Sequence, residues 1–283
     1  MAELNYAVHV SPSLPLAAAA GLTPPDGSVP VWSPLSSTLV YGPTEALLVD
    51  PPVTRDQGAA VVAWAERIGR TVTTVYVTHQ HGDHWYATAE IVTAFPGASV
   101  VATQGTVDGM HALNPGGRRP PLWDAILPGQ IGNTPVLAEP VSGELTVDGQ
   151  PVLPIEVGHS DTDASTVLHV PSLDLVVAGD VIYNHVHQYL AESADGGVDQ
   201  WLAAIDRVAG LHPKAIVAGH KDPARDDAPS IVDDTRRYLA TAAEVLAEQP
   251  GRQGYFDRMV TAFPTWLNPT IAWLSAVRLF AAG

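Results

Sequence analysis

The chain has 283 residues, of which 46% are hydrophobic and 16% are charged, a balance typical of a globular protein with a sizeable core. Its 14 basic and 30 acidic residues give a formal net charge of -16, and such a surface repels phosphate backbones and anionic lipid, which argues against nucleic acid and membranes as partners. The absence of cysteine excludes disulfides, thiolate metal ligands and a cysteine nucleophile.

The N-terminal region bears on where the protein is found. The apolar stretch LPLAAAAGL, residues 14–22, resembles the core of a signal peptide, but no basic residue precedes it because the first is Arg55. No apolar run approaches the length of about 20 residues that a membrane span requires. The sequence therefore predicts a cytoplasmic protein.

The first part of the chain predicts strands followed by alternating helices and strands. NYAVHV, residues 5–10, is the first strand, and STLVYGPTEALLVD, residues 37–50, is a hairpin that turns at Gly42 and Pro43. A helix with apolar residues at helical spacing begins at Thr54. A buried strand over residues 72–77, a short helix over 87–95 and a strand over 99–103 follow.

The stretch from residue 105 to residue 134 has a different composition. It contains NPGGRRPPLW and PGQIGN, which are rich in glycine and proline. Because it is too long for a plain connection, it is predicted to be a mobile lid or a loop that lines a pocket, without a long regular element.

Regular structure resumes after this stretch. LTVDGQPVLPIEV, residues 145–157, predicts a hairpin at Asp148 and Gly149. Residues 198–208 predict a helix, 215–219 a strand and 230–248 a helix; another helix begins near Thr270, with Asn268 as its cap and Pro269 in its first turn. The prediction is one α/β domain spanning residues 1–283, with a helical C-terminal extension from about residue 228.

Two hairpins have similar sequences. STLVYGPTEALLVD, residues 37–50, resembles STVLHVPSLDLVVAGD, residues 165–180: each has a proline at the turn and an aspartate at the end. The similarity indicates either two related halves or a chance likeness between hairpins, and the pattern favours neither.

Four ionisable residues follow the strand over residues 72–77. In THQHGDHW, residues 78–85, His79 and His81 alternate, so extended backbone would direct both imidazoles to one side, and Asp83 and His84 follow after the chain turns. Imidazole and carboxylate together suit zinc or a similar divalent metal. Four ligand-type residues within six positions rarely serve packing, so the cluster predicts a metal site.

Further ligands are expected where other apolar strands end. His159 follows the strand of IEVGHSDTDAS, Asp180 ends LVVAGD, and His220 ends AIVAGH. Strand ends collect side chains at one edge of the sheet in layered α/β folds.

This order of residues resembles the metallo-β-lactamase superfamily over residues 37–220, in the HxHxDH motif, the later histidine, the aspartate and the last histidine. The resemblance implies an αββα sandwich of the metallo-β-lactamase type with its site at one edge. It makes His79, His81 and His159 ligands of one metal, Asp83, His84 and His220 ligands of the second, and Asp180 the bridge. Two divalent ions, with Zn²⁺ favoured, would then turn a bridging water into hydroxide near neutral pH.

The ligand set favours one branch of the superfamily. Many of its β-lactamases use a cysteine at the second metal, whereas glyoxalase II, lactonases and related hydrolases use a bridging aspartate, as Asp180 suggests here. Family members commonly have two glycines after the motif, but this chain has Trp85 and Tyr86. The large side chains of Trp85 and Tyr86 would then lie beside the metals.

Tyr183 and several apolar residues are candidates for contact with the substrate. Acyl-homoserine lactonases have a tyrosine at the same offset from the bridging aspartate, so the Tyr183 hydroxyl could donate to the carbonyl oxygen or the leaving alkoxide; a packing role is equally open. Candidate substrate-binding residues are Trp85, Met110, Trp123 and His185, although each could also belong to the core. Asp50 could support a ligand histidine.

The expected reaction is hydrolysis of an ester-like carbonyl bond, with a lactone as the favoured substrate and Asp83 orienting the bridging hydroxide. Alternatives are a thioesterase like glyoxalase II, a β-lactamase-like amidase, a single-iron persulfide dioxygenase and a binding protein that keeps the fold without turnover. The expected partner is a small molecule, and the sequence specifies no oligomeric state.

Overall fold

The computed structural model describes residues 2–17 and 22–281. Within these ranges the chain forms two main β-sheets packed face to face, with helices on both outer faces, and a small two-stranded sheet. The strands are β1 Asn5–Ser11, β2 Leu14–Pro15, β3 Val31–Trp32, β4 Leu35–Tyr41, β5 Glu45–Val49, β6 Thr71–Tyr76, β7 Ser99–Ala102, β8 Glu139–Pro140, β9 Leu145–Val147, β10 Gln150–Gly158, β11 Ser165–Val170, β12 Leu175–Val177, β13 Tyr183–Asn184, β14 Ala215–Val217 and β15 His220–Lys221. The helices are α1 Arg55–Ile68, α2 Thr88–Ala94, α3 Gln104–Leu113, α4 Pro121–Ile126, α5 Gly197–Ala209, α6 Ile231–Ala247, α7 Gly251–Ala262 and α8 Pro269–Leu279.

The larger sheet has the strand order β13-β15-β4-β5-β6-β7-β8, with β1 also paired to β4. β4 and β5 form the antiparallel hairpin that was predicted, and β5, β6 and β7 run parallel with α1 and α2 as crossovers. α1 begins with a capping box, in which the Thr54 hydroxyl accepts from Gln57 N and the Gln57 side chain returns to Thr54 N. Parallel strands end at the same edge of the sheet, so β6 delivers the histidine turn there.

The smaller sheet has the strand order β14-β12-β11-β10-β9. Its β9 and β10 pair antiparallel around Asp148 and Gly149, as predicted, and β12 runs parallel to β14 with α5 between them. The similar sequences over residues 37–50 and 165–180 correspond to two antiparallel hairpins, β4–β5 in the larger sheet and β11–β12 in the smaller one. Each sheet thus contains one of the two similar hairpins.

Apolar side chains fill three layers. The layer between the sheets includes Leu47, Val49 and Tyr76 from the larger sheet and Leu168 and Val177 from the smaller one. A second cluster joins the larger sheet to α1, α2 and α3, and a third joins the smaller sheet to α5 and the C-terminal helices. Burial of both faces of each sheet gives the αββα sandwich that the resemblance implies.

The C-terminal region consists of the helices α6, α7 and α8. α6 and α7 pack on the side of the smaller sheet, where Tyr238 stacks on Trp266 with ring centroids 5.1 Å apart, and α8 joins both outer clusters, with Ala276 in this one and Ile271 and Leu274 in that of the larger sheet. α7 was not predicted. Asn268 occupies the N-cap position of α8 and Pro269 begins the helix, as predicted, but the Asn268 side chain makes no capping hydrogen bond and its amide lies 2.6 Å from Ser33 Oγ.

The stretch from residue 105 to residue 134 was expected to have no long regular element, and this expectation was wrong. α3 runs for 10 residues and α4 for 6. The glycines of α3 lie within the helix, which ends at its C-cap Asn114, whereas the clustered Gly116 and Gly117 have positive φ and lie beyond it. Burial of Val107 and Met110 outweighs the low helix propensity of the glycines in α3.

The N-terminal apolar stretch is only partly described, since residues 18–21 lie outside the described ranges. No helix within residues 2–17 and 22–281 combines the length and the apolar character needed to span a bilayer.

Candidate metal centre

The histidine turn is held by a single buried carboxylate. Asp50 directly follows β5 with φ 53°, and its carboxylate accepts from Thr78 N at 2.9 Å and from Thr78 Oγ1 at 2.7 Å. The same carboxylate lies 3.0 Å from His84 Nδ1. Residues Gly82–His84 form a 3-10 turn that directs Asp83 and His84 back toward the sheet edge. The support from Asp50 that the sequence suggested is therefore present in the structure.

Two close backbone approaches bring Asp180 and His220 to the same edge. A Cβ on Gly179, which has φ 49°, would come within 2.4 Å of Thr78 Oγ1, and a Cβ on Gly219 would come within 2.2 Å of Asp180 Oδ1. Only glycine allows the three segments to meet at these distances. Asp180 therefore comes from the smaller sheet and His220 from the larger one, at one shared point.

One set of donor atoms consists of Asp83, His84 and His220, with Asp180 beside it. His220 Nε2 lies 3.3 Å from Asp83 Oδ2 and 3.2 Å from Asp180 Oδ2. His84 Nε2 lies 3.9 Å from Asp83 Oδ2 and 3.2 Å from Asp180 Oδ1. Because one donor atom from each of Asp83, His84 and His220 lies within 4.8 Å of the others, these residues could hold one cation.

A second set consists of His79, His81 and Asp161. Asp161 Oδ2 lies 2.8 Å from His81 Nδ1 and 3.5 Å from His79 Nε2. A donor atom of His79 also groups with His84 and Asp180, so Asp180 lies between the two sets. The structure thus brings together six of the seven residues that the resemblance selects as ligands.

His159 is the seventh, and it belongs to none of the three donor groups found among the described residues. Its Nδ1 lies 2.8 Å from Asp163 Oδ1, and its Nε2 faces Ser193 Oγ at 3.5 Å. The reason is local: Gly158 has φ 92° and the register of β10 shifts after Glu156, so the backbone turns before His159. Two residues later, Asp161 faces the site instead.

Unpartnered buried atoms test whether these residues fit a metal. Within the described ranges, His79 Nε2, His84 Nε2, Asp161 Oδ2 and Asp180 Oδ1 are buried and make no hydrogen bond. Buried polar atoms are normally hydrogen-bonded, and their exceptions need an explanation such as an ion. Imidazole and carboxylate donors aimed at a common point suit a divalent cation. The residues therefore fit the metal ions that the resemblance implies.

The pKa values of the donor residues also favour a bound cation. Burial lowers the pKa of His84, but the carboxylates of Asp180 and Asp50 outweigh burial and hold it well above its usual range. Burial likewise opposes charge on Asp180, yet His220 and His84 keep its pKa well below its usual range. The carboxylates thus stabilise positive charge at this point, which is the requirement for holding a cation.

Supporting contacts orient the donor atoms. His220 Nδ1 lies 2.9 Å from the carbonyl oxygen of Pro34, and His81 Nε2 lies 3.0 Å from Glu192 Oε1. Trp32 Nε1 donates to Asp83 Oδ2 at 2.8 Å. Each contact fixes the orientation of a donor side chain, as outer contacts do in metal sites.

A cavity of about 230 Å³ opens onto the donor atoms. Its floor includes Asp83, Asp161, Asp180 and His220, and its walls are mostly apolar. The apolar and aromatic wall residues include Trp32, Leu113, Leu122, Trp123, Tyr189 and Leu274. A small apolar pocket with a few converging polar groups is the usual form of a site for a small molecule.

Tyr183 lines this cavity, and its hydroxyl donates to Asp180 Oδ2 at 2.6 Å. Burial and the negative charge of Asp180 raise the pKa of the Tyr183 hydroxyl well above its usual range, so the group stays protonated. The ring also packs beside His220 and Trp201, with centroids 5.5 Å and 6.1 Å away. The residue is therefore both a hydrogen-bond donor at the site and a packing element.

Of the four predicted substrate-binding residues, Trp123 lines the cavity. Trp85 and Met110 are instead buried in the cluster that joins the larger sheet to its helices, and Trp85 Nε1 donates to the carbonyl oxygen of Gln80. His185 has φ 56° and turns toward Asp234 and Trp266, away from the cavity. Trp85, Met110 and His185 therefore do not line the cavity, contrary to the expectation, because packing against the helices directs their side chains elsewhere.

Several residues at the site were not singled out from the sequence, chiefly Asp161, Trp32 and Glu192. For Asp161 a signal existed, since HSDTD contains three ligand-type residues at alternate positions. Trp32 and Glu192 lie in segments without any motif. Only the tertiary arrangement brings them to Asp83 and His81.

Comparison with known proteins adds to this geometry. The family model described as metallo-beta-lactamase superfamily matches residues 30–220. No curated protein matches the chain. A metallo-beta-lactamase family protein from Thermus thermophilus superposes with a TM-score of 0.61 at 19% identity, over 97% of this chain and 94% of that one. A metallo-beta-lactamase from Pontibacter korlensis superposes with a TM-score of 0.59 at 18% identity, over 85% of this chain and 99% of that one. The metallo-beta-lactamase FIM-1 from Pseudomonas aeruginosa, in its mono-zinc form, superposes with a TM-score of 0.57 at 16% identity, over 85% of this chain and 92% of that one.

Proposed function

The chain belongs to the metallo-beta-lactamase superfamily, with a hydrolase-type function and metal-binding histidine and aspartate groups, and on that premise we propose that it is a dinuclear, zinc-type hydrolase of ester-like carbonyl bonds whose favoured substrate is a lactone. The observation that carries the proposal is the convergence of four unpartnered buried donor atoms beneath an apolar cavity. A proposed pair of ions has His79, His81, Asp83, His84, Asp180 and His220 among its ligands.

A divalent metal pair, when bound, supplies an acidified water and polarises a carbonyl oxygen. The residues of the chain do the rest. Asp83 orients the attacking water, and Trp32 Nε1 fixes the Asp83 carboxylate by donating to Oδ2. The apolar wall excludes bulk water, which strengthens every electrostatic contact inside the cavity. Tyr183 carries a proton at its hydroxyl oxygen that can be shared with the developing oxyanion.

The preference for an ester-like bond rests on the ligand set and on Tyr183. Since the chain contains no cysteine, an aspartate occupies the position between the two donor sets, which resembles the lactonase and glyoxalase II branch. A tyrosine hydroxyl directed at that aspartate from the cavity wall suits an oxygen leaving group. The likeness to solved metallo-beta-lactamases, at less than 25% identity, concerns the fold alone.

The metal content is the first test. We expect protein reconstituted with Zn²⁺ to bind two ions per chain, because there are two donor sets and Asp180 groups with one histidine from each of them. We expect chelation to remove hydrolysis of a lactone, in a panel that also contains a thioester and a β-lactam. Absence of metal after reconstitution would refute the proposal. One iron per chain with oxygen consumption would instead indicate a persulfide dioxygenase.

Trp123→Ala tests whether the wall sets specificity. Trp123 packs edge-on against Trp32, with centroids 4.8 Å apart, so its loss enlarges the cavity. We expect the preference for long over short acyl lactones to change by about tenfold, the effect of one or two methylenes in an apolar pocket. Ratios of kcat/KM across a series of chain lengths measure it.

Trp64→Ala is the matched control, since Trp64 packs against His9, with centroids 5.5 Å apart, and does not line the cavity. It should leave these ratios unchanged. If Trp123→Ala also leaves them unchanged, residues 105–134 serve only as scaffold.

A further inference from the structure

We propose that Asp161, in place of His159, completes the first metal site, so that both sites have two imidazoles and one carboxylate and share Asp180. The inference rests on the proposed dinuclear centre and specifies its first site. It implies that this site discriminates less strongly in favour of Zn²⁺ over Mn²⁺ than a site with three imidazoles.

The placement of Asp161 is the first argument. Its side chain is buried, and Oδ2 lies 2.8 Å from His81 Nδ1 and 3.5 Å from His79 Nε2. The other oxygen, Oδ1, accepts from Ser160 Oγ at 3.0 Å, which holds the carboxylate in orientation. A buried carboxylate oxygen that faces two imidazole nitrogens, and no group outside the donor set, is the arrangement expected of a ligand.

Both ring nitrogens of His159 face groups other than the donor residues. One ring nitrogen pairs with Asp163, and the other faces the start of α5, where a Cβ on Gly197 would lie only 2.9 Å from His159 Nε2. The imidazole is thus packed against Ser193 and Gly197. Its two nitrogens are directed at groups outside the donor sets.

The chemistry of the donors gives the consequence for metal choice. Imidazole suits zinc and other later transition metals, whereas carboxylate suits harder ions such as Mn²⁺ and Mg²⁺. Replacing the third imidazole by Asp161 adds a third carboxylate to Asp83 and Asp180 at the centre. The added negative charge favours any dication, so the selectivity for zinc falls relative to a three-imidazole site.

Metal binding by the full-length protein tests the assignment without relying on activity. The variants are Asp161→Ala, Asp161→Asn, His159→Ala and Asp161→His, each prepared metal-free and checked by circular dichroism. Elemental analysis after reconstitution gives the number of ions, and titration calorimetry gives the affinities for Zn²⁺ and Mn²⁺. The Asp161→Asn variant keeps the shape of the side chain and guards against misfolding of Asp161→Ala.

We expect Asp161→Ala and Asp161→Asn to lose one ion, or to bind it more than about a hundredfold more weakly, since loss even of an outer contact costs about 10–100-fold. His159→Ala should keep two ions with unchanged affinity. Asp161→His should raise the ratio of Zn²⁺ to Mn²⁺ affinity by about tenfold or more, because imidazole favours zinc. Loss of an ion in His159→Ala with two retained in Asp161→Asn would overturn the inference while leaving the dinuclear hydrolase intact. Failure of the unaltered protein to bind any metal would overturn both.

Discussion

Asp83→Ala is expected to reduce hydrolysis by more than about a hundredfold, or about 2.7 kcal/mol, while the fold survives. Asp83 Oδ2 lies 3.3 Å from His220 Nε2 at the floor of the cavity and accepts from Trp32 Nε1. The substitution removes a proposed ligand, the orienting group for the attacking water and the acceptor of the indole. Loss of even an outer contact in a metal site costs about 10–100-fold, so loss of a ligand should exceed that range.

The measurements are kcat/KM on the best lactone, metal content and circular dichroism. Asp108→Ala is the matched control, because Asp108 is an exposed carboxylate on α3 that contacts Gln104. It should leave all three measurements unchanged. Near-native activity of Asp83→Ala with an unchanged circular dichroism spectrum would remove Asp83 from the mechanism.

Tyr183→Phe should lower kcat by about a hundredfold, or about 2.7 kcal/mol, if the hydroxyl donates to the developing oxyanion. The change deletes one hydroxyl and keeps the ring that packs beside His220 and Trp201. Since the hydroxyl also donates to Asp180 Oδ2, its loss could act through that carboxylate instead. The two routes differ in their readout: a direct role lowers kcat at constant metal affinity, and a positioning role weakens metal binding as well.

Tyr255→Phe is the matched control for Tyr183→Phe. Tyr255 is fully buried in α7, and within the described ranges its hydroxyl has no hydrogen-bond partner, so deleting that oxygen should leave kcat unchanged and stability equal or higher. Tyr183→Ala should destabilise the protein by about 3–5 kcal/mol through the cavity it leaves, whichever role the hydroxyl has. An unchanged rate in Tyr183→Phe would indicate packing alone and shift the favoured substrate toward a thioester.

The local part of the site could be predicted from the sequence because it depends on short-range geometry. His79, His81, Asp83 and His84 lie within six residues after one strand, and a 3-10 turn is enough to gather them. Asp180 and His220 could be found because each follows an apolar strand in a layered fold. The strands that deliver these residues were visible in the periodicity, because buried strands read as short apolar runs.

The choice between His159 and Asp161 could not be made in this way. Both follow β10 within three residues, and both are ligand-type side chains. Their directions depend on the φ of Gly158 and on the shift in register after Glu156, neither of which has a periodic pattern. The resemblance selected His159, whereas the structure turns Asp161 toward His79 and His81.

The cavity wall was the least predictable part. Met110 and Trp85 have the same apolar character as Trp123, and only packing against the larger sheet decides which of them faces the cavity. Trp32 reaches Asp83 from β3, a strand of two residues with no periodicity to detect.

The positions of the donor residues along the chain also affect how the fold resists unfolding. His79 and His220 come from the larger sheet, and Asp161 and Asp180 come from segments of the smaller one. The proposed metal centre, if held by these residues, would act as a cross-link between the two halves of a chain that has no cysteine to form one. The segments between these residues form long loops. The entropic cost of closing a loop rises slowly with its length, because each doubling of the length adds only about 0.6 kcal/mol. The free energy of unfolding then depends on the free metal concentration, in the way that the stability of a secreted protein depends on the redox state of its surroundings.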